Sequence, residues 1–187
     1  MLKSKIKAYY RKHNKIRVCQ GDILKDFQFP SVNNDKIIEY VFPYIVVISQ
    51  DCDLENNKTF YENDLDKNNQ FLPNILFLPA FTSESLRDGS HLKDIFSVIQ
   101  DRINSSRWDL IKQNKNERYQ YLSSYSNYQI PDLVIDFKTY FTLNINHFLM
   151  QYKKKYIASI NELFRENLSQ RFSNYLNRIG LPNLEKL

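Results

Sequence analysis

Phe42-Pro43-Tyr44-Ile45-Val46-Val47-Ile48-Ser49-Gln50-Asp51-Cys52-Asp53 is a continuous apolar run that stops abruptly at two carboxylates flanking a thiol. An unbroken Ile/Val run of this length reads as a strand buried on both faces. Polar groups at the exit of such a strand stand on a rigid support and can be aimed into a cleft. The run therefore predicts a central strand over 44–49, with Asp51-Cys52-Asp53 at its mouth.

Further strands are expected on both sides of it. Residues 16–18 and 23–29 read as short strands around Gly21-Asp22, which has the composition of a turn or bulge. Residues 37–41 are expected to pair with 44–49, Pro43 marking an edge or a bend. The Asn/Asp/Lys-rich stretch 55–70 carries few apolar residues and predicts an exposed excursion. Ile75 to Leu78 is the next buried strand, bracketed by Pro73 and Pro79.

The middle of the chain reads as helical. Leu92, Ile95, Phe96, Ile99 and Ile103 recur at helical spacing, with Ser90, Lys93 and Asp94 as a start, and Trp108, Leu110 and Ile111 prolong or follow that helix. Strand composition returns at 118–122 and 133–143, and Lys153-Lys154-Lys155 is expected at a turn or strand edge. Leu168, Phe172, Tyr175, Leu176 and Ile179 form one apolar stripe of a final helix, stopped by Gly180 and Pro182.

With 187 residues the chain has room for one substantial core. The partition expected is a single domain: a basic arm (1–17), a β core (18–83), a helical insertion (84–113), further strands (114–157) and a C-terminal amphipathic helix (158–180). If the chain divides anywhere, 82–90 is where. Thirteen Tyr and thirteen Phe supply large apolar faces. A mean hydropathy of −0.54 predicts a polar surface. No apolar stretch approaches the roughly 18 residues of a membrane span, and the N-terminus lacks a signal-peptide core, so a cytoplasmic location is the expectation. Two cysteines fit a reducing compartment without disulfides.

The net charge of +5 is unevenly spread. Lys3, Lys5, Lys7, Arg11, Lys12, Lys15 and Arg17 all precede the first acidic residue, Asp22, and interleave with Tyr9 and Tyr10. Such an arm can pair with phosphates and stack on bases, or be no more than a solvated terminus. Lys5, Lys7, Arg11, Lys12 and Arg17 are the nucleic-acid-binding candidates.

Three segments in order carry a resemblance: Gly21-Asp22-Ile23-Leu24-Lys25-Asp26-Phe27, Pro43 to Ser49, and Ile75-Leu76-Phe77-Leu78-Pro79-Ala80-Phe81-Thr82-Ser83. Together they resemble the core of the MazF/PemK-like family, over about a third of the chain. The resemblance implies an α+β fold built on a small SH3-like barrel. It also implies nucleic-acid association, in a bacterial toxin–antitoxin or phage-defence setting, with RNA or DNA and an antitoxin or defence-system subunit as partners and a homodimer as assembly. Family members are typically endoribonucleases whose strand proline follows an arginine that stabilises charge on a phosphate. Here that position is Phe42. The resemblance carries the hydroxyl role to Thr82 or Ser83, and the missing cation favours binding over cleavage. The alternatives are an endoribonuclease-like phosphodiesterase with a rearranged site, in which Arg17, Arg87 or Arg118 substitutes, and a protein–protein interaction subunit without catalysis.

Asp51-Cys52-Asp53 admits three readings: carboxylates that share a cation or move a proton, a nucleophilic Cys52 served by His91 or His147, or a turn with a small buried thiol between two capping carboxylates. Two adjacent carboxylates disfavour a thiolate, which weighs against the second. Asp51, Asp53, Thr82 and Ser83 are thus the catalytic candidates. His13, His91 and His147 share no ligand spacing with either cysteine, so no metal is expected, and three glycines leave no phosphate cradle and no cofactor expectation. Arg171 and Arg178, seven residues apart, read as solvent-facing charge, with phosphate or partner contact as the alternative.

Overall fold

The computed structural model describes residues 9–33, 36–63 and 71–178. Lys3, Lys5, Lys7, Ile179, Gly180 and Pro182 lie outside them. The fold is α+β: eight antiparallel strands form one sheet, accompanied by six α-helices among the described residues.

In chain order the elements are β1 (Tyr10–Arg11), β2 (Asp22–Asn33), β3 (Lys36–Val47), α1 (Asp51–Asn63), β4 (Asn74–Thr82), α2 (Ser83–Asp88), α3 (Lys93–Phe96) and α4 (Ser105–Lys112). Then follow β5 (Tyr119–Leu122), β6 (Leu133–Asp136), β7 (Phe141–Asn144), α5 (Ile145–Lys155), β8 (Tyr156–Ile160) and α6 (Glu162–Leu176). The strand order is β1-β8-β2-β3-β4-β6-β5, with β7 also on β4. The sheet curls into a half-barrel, and its two ends meet where the Tyr10 hydroxyl donates to the Ser123 carbonyl at 2.7 Å, just past β5.

Strand alternation divides the apolar run between two cores. Ile45 and Val47 face Phe27, Phe42 and Phe77 together with Leu86, Trp108, Ile111 and Phe148 of α2, α4 and α5. Tyr44, Val46 and Ile48 face Leu78, Ile135 and Ile160 together with Leu168 and Phe172 of α6. Helices thus cover both faces, which is why β3 needs no polar alternation in this half.

Prolines mark where ladders change. Beyond Tyr44, β3 loses β4 as a neighbour, and Pro43 stands at that limit opposite Asp26, which has φ of 52° and leaves one gap in the β2–β3 ladder without shifting its register. Pro79 lies inside β4 rather than at its end, between the stretch paired to β7 (Asn74–Phe77) and the stretch paired to β6 (Ala80–Thr82). An absent N–H is harmless in such a gap.

Several elements differ from expectation. Residues 16–18 are turn, bend and irregular backbone rather than strand, with the Arg17 carbonyl accepting from the Tyr152 hydroxyl at 2.8 Å. Residues 37–41 and 44–47 belong to one strand that keeps a single register with β2 on both sides of Pro43, so Pro43 does not split them. The stretch 51–63 is helix α1, its first turn carrying Asp51 and Asp53 where a positive helix end favours carboxylates. The helix expected over 92–103 stops at Phe96, because Ser97 turns left-handed (φ 56°) and Ile99 points to solvent. The segment 82–90 carries α2, capped by Thr82 and ended by left-handed Gly89, and strands from both sides of it interleave in one sheet.

The C-terminal third differs most. Residues 145–155 are helix α5, not strand, so the three lysines sit in a last helical turn, where cations suit the exposed carbonyls. Residues 156–160 form β8, which inserts between β1 and β2; the final helix starts only at Glu162. Of its stripe, Leu168 and Phe172 are buried while Leu176 is half exposed. No helix among the described residues is long and apolar enough to cross a membrane.

Candidate functional site

The sequence-derived catalytic candidates occupy opposite ends of β4. Asp51 accepts the Gln20 backbone N–H at 2.8 Å and pairs with Arg165 of α6. Asp53 is exposed and lines a cleft of about 440 Å³ with Gln20, Ser49, Gln50 and Asn74. Thr82 and Ser83 lie where β4 passes into α2, six residues beyond Leu76 of that cleft, or about 20 Å along a strand. Asp51 and Asp53 therefore do not converge with Thr82 and Ser83. Cys52, expected as a small buried residue, is exposed; Cys19 is the buried thiol, and both are free.

The Thr82 hydroxyl is committed to its helix. It donates to Ser85 Oγ at 2.9 Å and accepts the Ser85 N–H, while Ser85 Oγ donates to the Thr82 carbonyl. The position that the resemblance assigns to arginine points elsewhere. Phe42 is fully buried against Phe29 and Phe141 on one face, while its neighbours Val41 and Pro43 line the Thr82 cleft on the other. The three substitute arginines are engaged apart from this cleft. Arg17 pairs with Glu55 at 2.8 Å, Arg87 lies 5.8 Å from the Trp108 ring centroid, and Arg118 makes a two-point pair with buried Asp136.

The Thr82 cleft itself is a concavity of about 520 Å³, between Asp26, Val41 and Pro43 on one wall and Phe81, Thr82, Ser85 and the 90–95 segment on the other. His91 contributes an imidazole with 7% of its surface exposed, edge-on to Phe81 at 4.9 Å. Neither ring nitrogen makes a well-formed hydrogen bond or contacts solvent, although the Ser85 carbonyl lies close enough to favour a proton on the ring. Burial pushes its pKa down; Asp136 and the Ser85 carbonyl oppose this and Arg118 reinforces it. The ring is thus neutral near pH 7.

A second cluster, which spacing along the chain does not reveal, surrounds fully buried Asp22. Oδ1 accepts from His13 Nε2 at 2.9 Å and Ser159 Oγ at 2.6 Å; Oδ2 accepts from the Cys19 N–H at 2.8 Å and the Tyr152 hydroxyl at 2.7 Å. Tyr156 links Ser159 to the His13 N–H. The Gly-Asp pair was legible as a turn, but its partners come from positions 13, 19, 152 and 159.

His13, Cys19 and Asp22 also present ligand atoms within 4.8 Å of one another, contrary to the expectation from spacing. Their protonation opposes cation binding. Both His13 ring nitrogens face acceptors, Asp22 and the Asn14 carbonyl, and the Asp22 hydrogen bond leads in raising the His13 pKa. Burial, then the Asp22 charge, pushes the Cys19 thiol up to about 11. A metal requires a neutral imidazole and a thiolate. The cluster is a closed hydrogen-bond network that straps residues 13–19 to β2, α5 and β8.

Of the nucleic-acid candidates, Arg11 pairs with Glu162 at 2.8 Å and Lys12 lies 4.9 Å over the Tyr128 ring. Arg17 is paired as above. Lysines outside that candidate list, Lys15 of the basic arm and the cluster 153–155, gather instead. Lys15 Nζ donates to the Lys153 carbonyl at 2.9 Å and sits 5.6 Å over the Tyr156 ring, and Lys155 Nζ donates to the Asp26 carbonyl at 2.8 Å. Arg171 is not solvent-facing: it donates to the carbonyls of Asn114, Asn116 and Tyr119, tying α6 to the loop before β5. Arg178 is exposed, stacked 3.8 Å over Tyr175. Comparison with protein-family models and with curated proteins returned no match.

Proposed function

We propose that this chain is a nucleic-acid-associated protein of MazF/PemK-like build, which holds a single strand, RNA by the resemblance, by its phosphates and does not cleave it. The observation that carries this reading is the convergence of Lys15 with Lys153, Lys154 and Lys155, brought from opposite ends of the chain onto the end of α5. Beside them stands His13, packed on Tyr156 and bonded to Asp22, which raises its pKa. Clustered cations of this kind are the electrostatic footprint of phosphate binding. Lys155 reaches the Asp26 carbonyl, and Asp26 lines the Thr82 cleft, so the lysine patch and the cleft adjoin. Binding without cleavage follows from Phe42 in the core, from the committed Thr82 hydroxyl and from the absence of arginine among the residues lining the cleft. The SH3-like barrel assignment and the toxin–antitoxin or phage-defence setting belong to this proposal and rest on the resemblance.

The test is anisotropy of a labelled 12-nucleotide RNA and its DNA counterpart across a salt series. The wild type should bind with affinity falling steeply with salt, and a Lys15→Gln/Lys153→Gln/Lys154→Gln variant should lower the log–log slope by about 2. No binding at low salt, or an unchanged slope, would overturn the reading. Incubation with a long RNA, with and without chelator, should leave it intact.

A second reading, a protein-docking subunit, rests on the β2–β3 hairpin, which extends past its neighbours. Val32 and Ile37 face each other across it at 70% and 85% exposure. Exposed apolar pairs on a projecting arm suit a protein partner. Loss of self-association or partner capture in Val32→Thr/Ile37→Thr, with strand binding intact, would favour this reading.

A further inference from the structure

We infer that the Thr82 cleft takes one nucleobase of the bound strand, with His91 as its polar contact. The inference rests on the strand-binding reading above and names what that reading leaves open, the ligand of the cleft.

The charges of the cleft decide the ligand class. Asp26 and Asp94 line it against one lysine, Lys93, so a phosphate or carboxylate meets net repulsion there. A phosphate belongs instead on the lysine patch next door. What the cleft offers is an apolar surface from Pro43, Phe81 and Ile95, the His91 imidazole, and the Ser85 and Ser90 hydroxyl oxygens as acceptors, their protons going to the Thr82 and Ser85 carbonyls. A flat, uncharged heterocycle with donors and acceptors on its edge matches both. A strand with its backbone on Lys153 to Lys155 has such groups at hand, because Lys155 is bonded to the residue that forms the cleft wall.

His91 supplies the second, independent observation. Two buried ring nitrogens without a well-formed hydrogen bond cost stability, and the Ser85 carbonyl can satisfy at most one of them. A neutral imidazole carries one donor and one acceptor, the complement of a base edge. Asp136 and Arg118, the charges that act on it from β6 and the β5 approach, are satisfied by each other. Because solvent does not reach the ring nitrogens, a base engages them by turning the ring toward the cleft, and this displacement is measurable.

His91→Phe keeps the aromatic volume beside Phe81 and removes the unpaired nitrogens. It should unfold at an equal or higher temperature than the wild type while binding RNA about tenfold more weakly, the loss of one well-made hydrogen bond. A purely structural histidine gives the reverse, lower stability with unchanged affinity, and that result overturns the inference. In protein labelled at its histidine rings, His91 signals, assigned by their absence in His91→Phe, should shift with uridine or adenosine monophosphate and stay fixed with ribose 5-phosphate. An abasic oligonucleotide should bind as weakly to the wild type as RNA binds to the variant. If RNA and abasic strands bind alike and His91 does not respond, the cleft assignment falls and the strand reading stands. If no oligonucleotide binds, both fall, whatever mononucleotides do.

Discussion

Replacing Asp22 by alanine removes the one acceptor group on which four donors converge. Of these, Ser159 keeps the Tyr156 hydroxyl and Tyr152 keeps the Arg17 carbonyl at 2.8 Å, but the Cys19 N–H and the His13 Nε2–H lose their partner. An orphaned buried donor costs about 1–3 kcal/mol. Breaking a buried charge pair by deleting one member costs about 3–5 kcal/mol. The two routes agree on about 3–5 kcal/mol for Asp22→Ala, a third or more of a typical domain's stability of about 5–15 kcal/mol. His13→Ala leaves the carboxylate with three donors and should cost only about 1–2 kcal/mol.

Urea unfolding followed through Trp108, the single tryptophan and a buried one, reads both. The sign of the pH dependence is fixed by the raised His13 pKa. The folded state holds the proton more tightly than the unfolded chain, so the contribution is complete below the ordinary histidine value of about 6.5 and declines as pH rises through the folded value. His13→Ala should abolish that decline. The reasoning fails if Asp22→Ala costs less than about 1.5 kcal/mol, or if His13→Ala costs as much as Asp22→Ala, because either result means that the carboxylate is not the hub.

Restoring the arginine that the resemblance expects should damage the fold before it creates chemistry. Phe42→Arg places a cation between Phe29 and Phe141, at a cost of about 4 kcal/mol or more, and soluble yield with a urea midpoint measures it; a folded variant that cleaves RNA would refute the face assignment of β3. At Gly89 a Cβ would stand 2.0 Å from the Gln100 carbonyl oxygen with φ at +83°, so Gly89→Ala should lose about 2–4 kcal/mol in thermal unfolding.

What could be read from the sequence depended on which interaction decided each element. The strands over 23–29, 44–47, 75–78, 119–122 and 133–136 are legible because burial writes itself as continuous apolar runs. Helix α5 is missed because its buried residues, Ile145, Phe148 and Tyr152, recur in a segment rich in Phe, Tyr and Leu that also suits a strand. β8 is missed for a different reason: Tyr156 to Ile160 is a strand because β1 and β2 offer edges on either side of it, a choice made by tertiary pairing. The Asp22 network joins residues up to 143 positions apart, and no spacing rule reaches that far.

The resemblance was carried by strand cores, and strand cores do not determine where neighbouring side chains point for chemistry. Along β3, Val41 and Pro43 face the cleft and Phe42 faces away, so residue 42 cannot serve the cleft while the register with β2 holds. Thr82, at the end of the neighbouring strand, spends its proton on Ser85. On the proposed reading, recognition would fall to the excursion after α2, where Gly89 reverses the chain and His91 lines the cleft. A single histidine on an irregular connection has no periodicity to betray it. The sequence offers His91 only as a base for Cys52, and its burial beside Phe81 shows once the surrounding residues are placed.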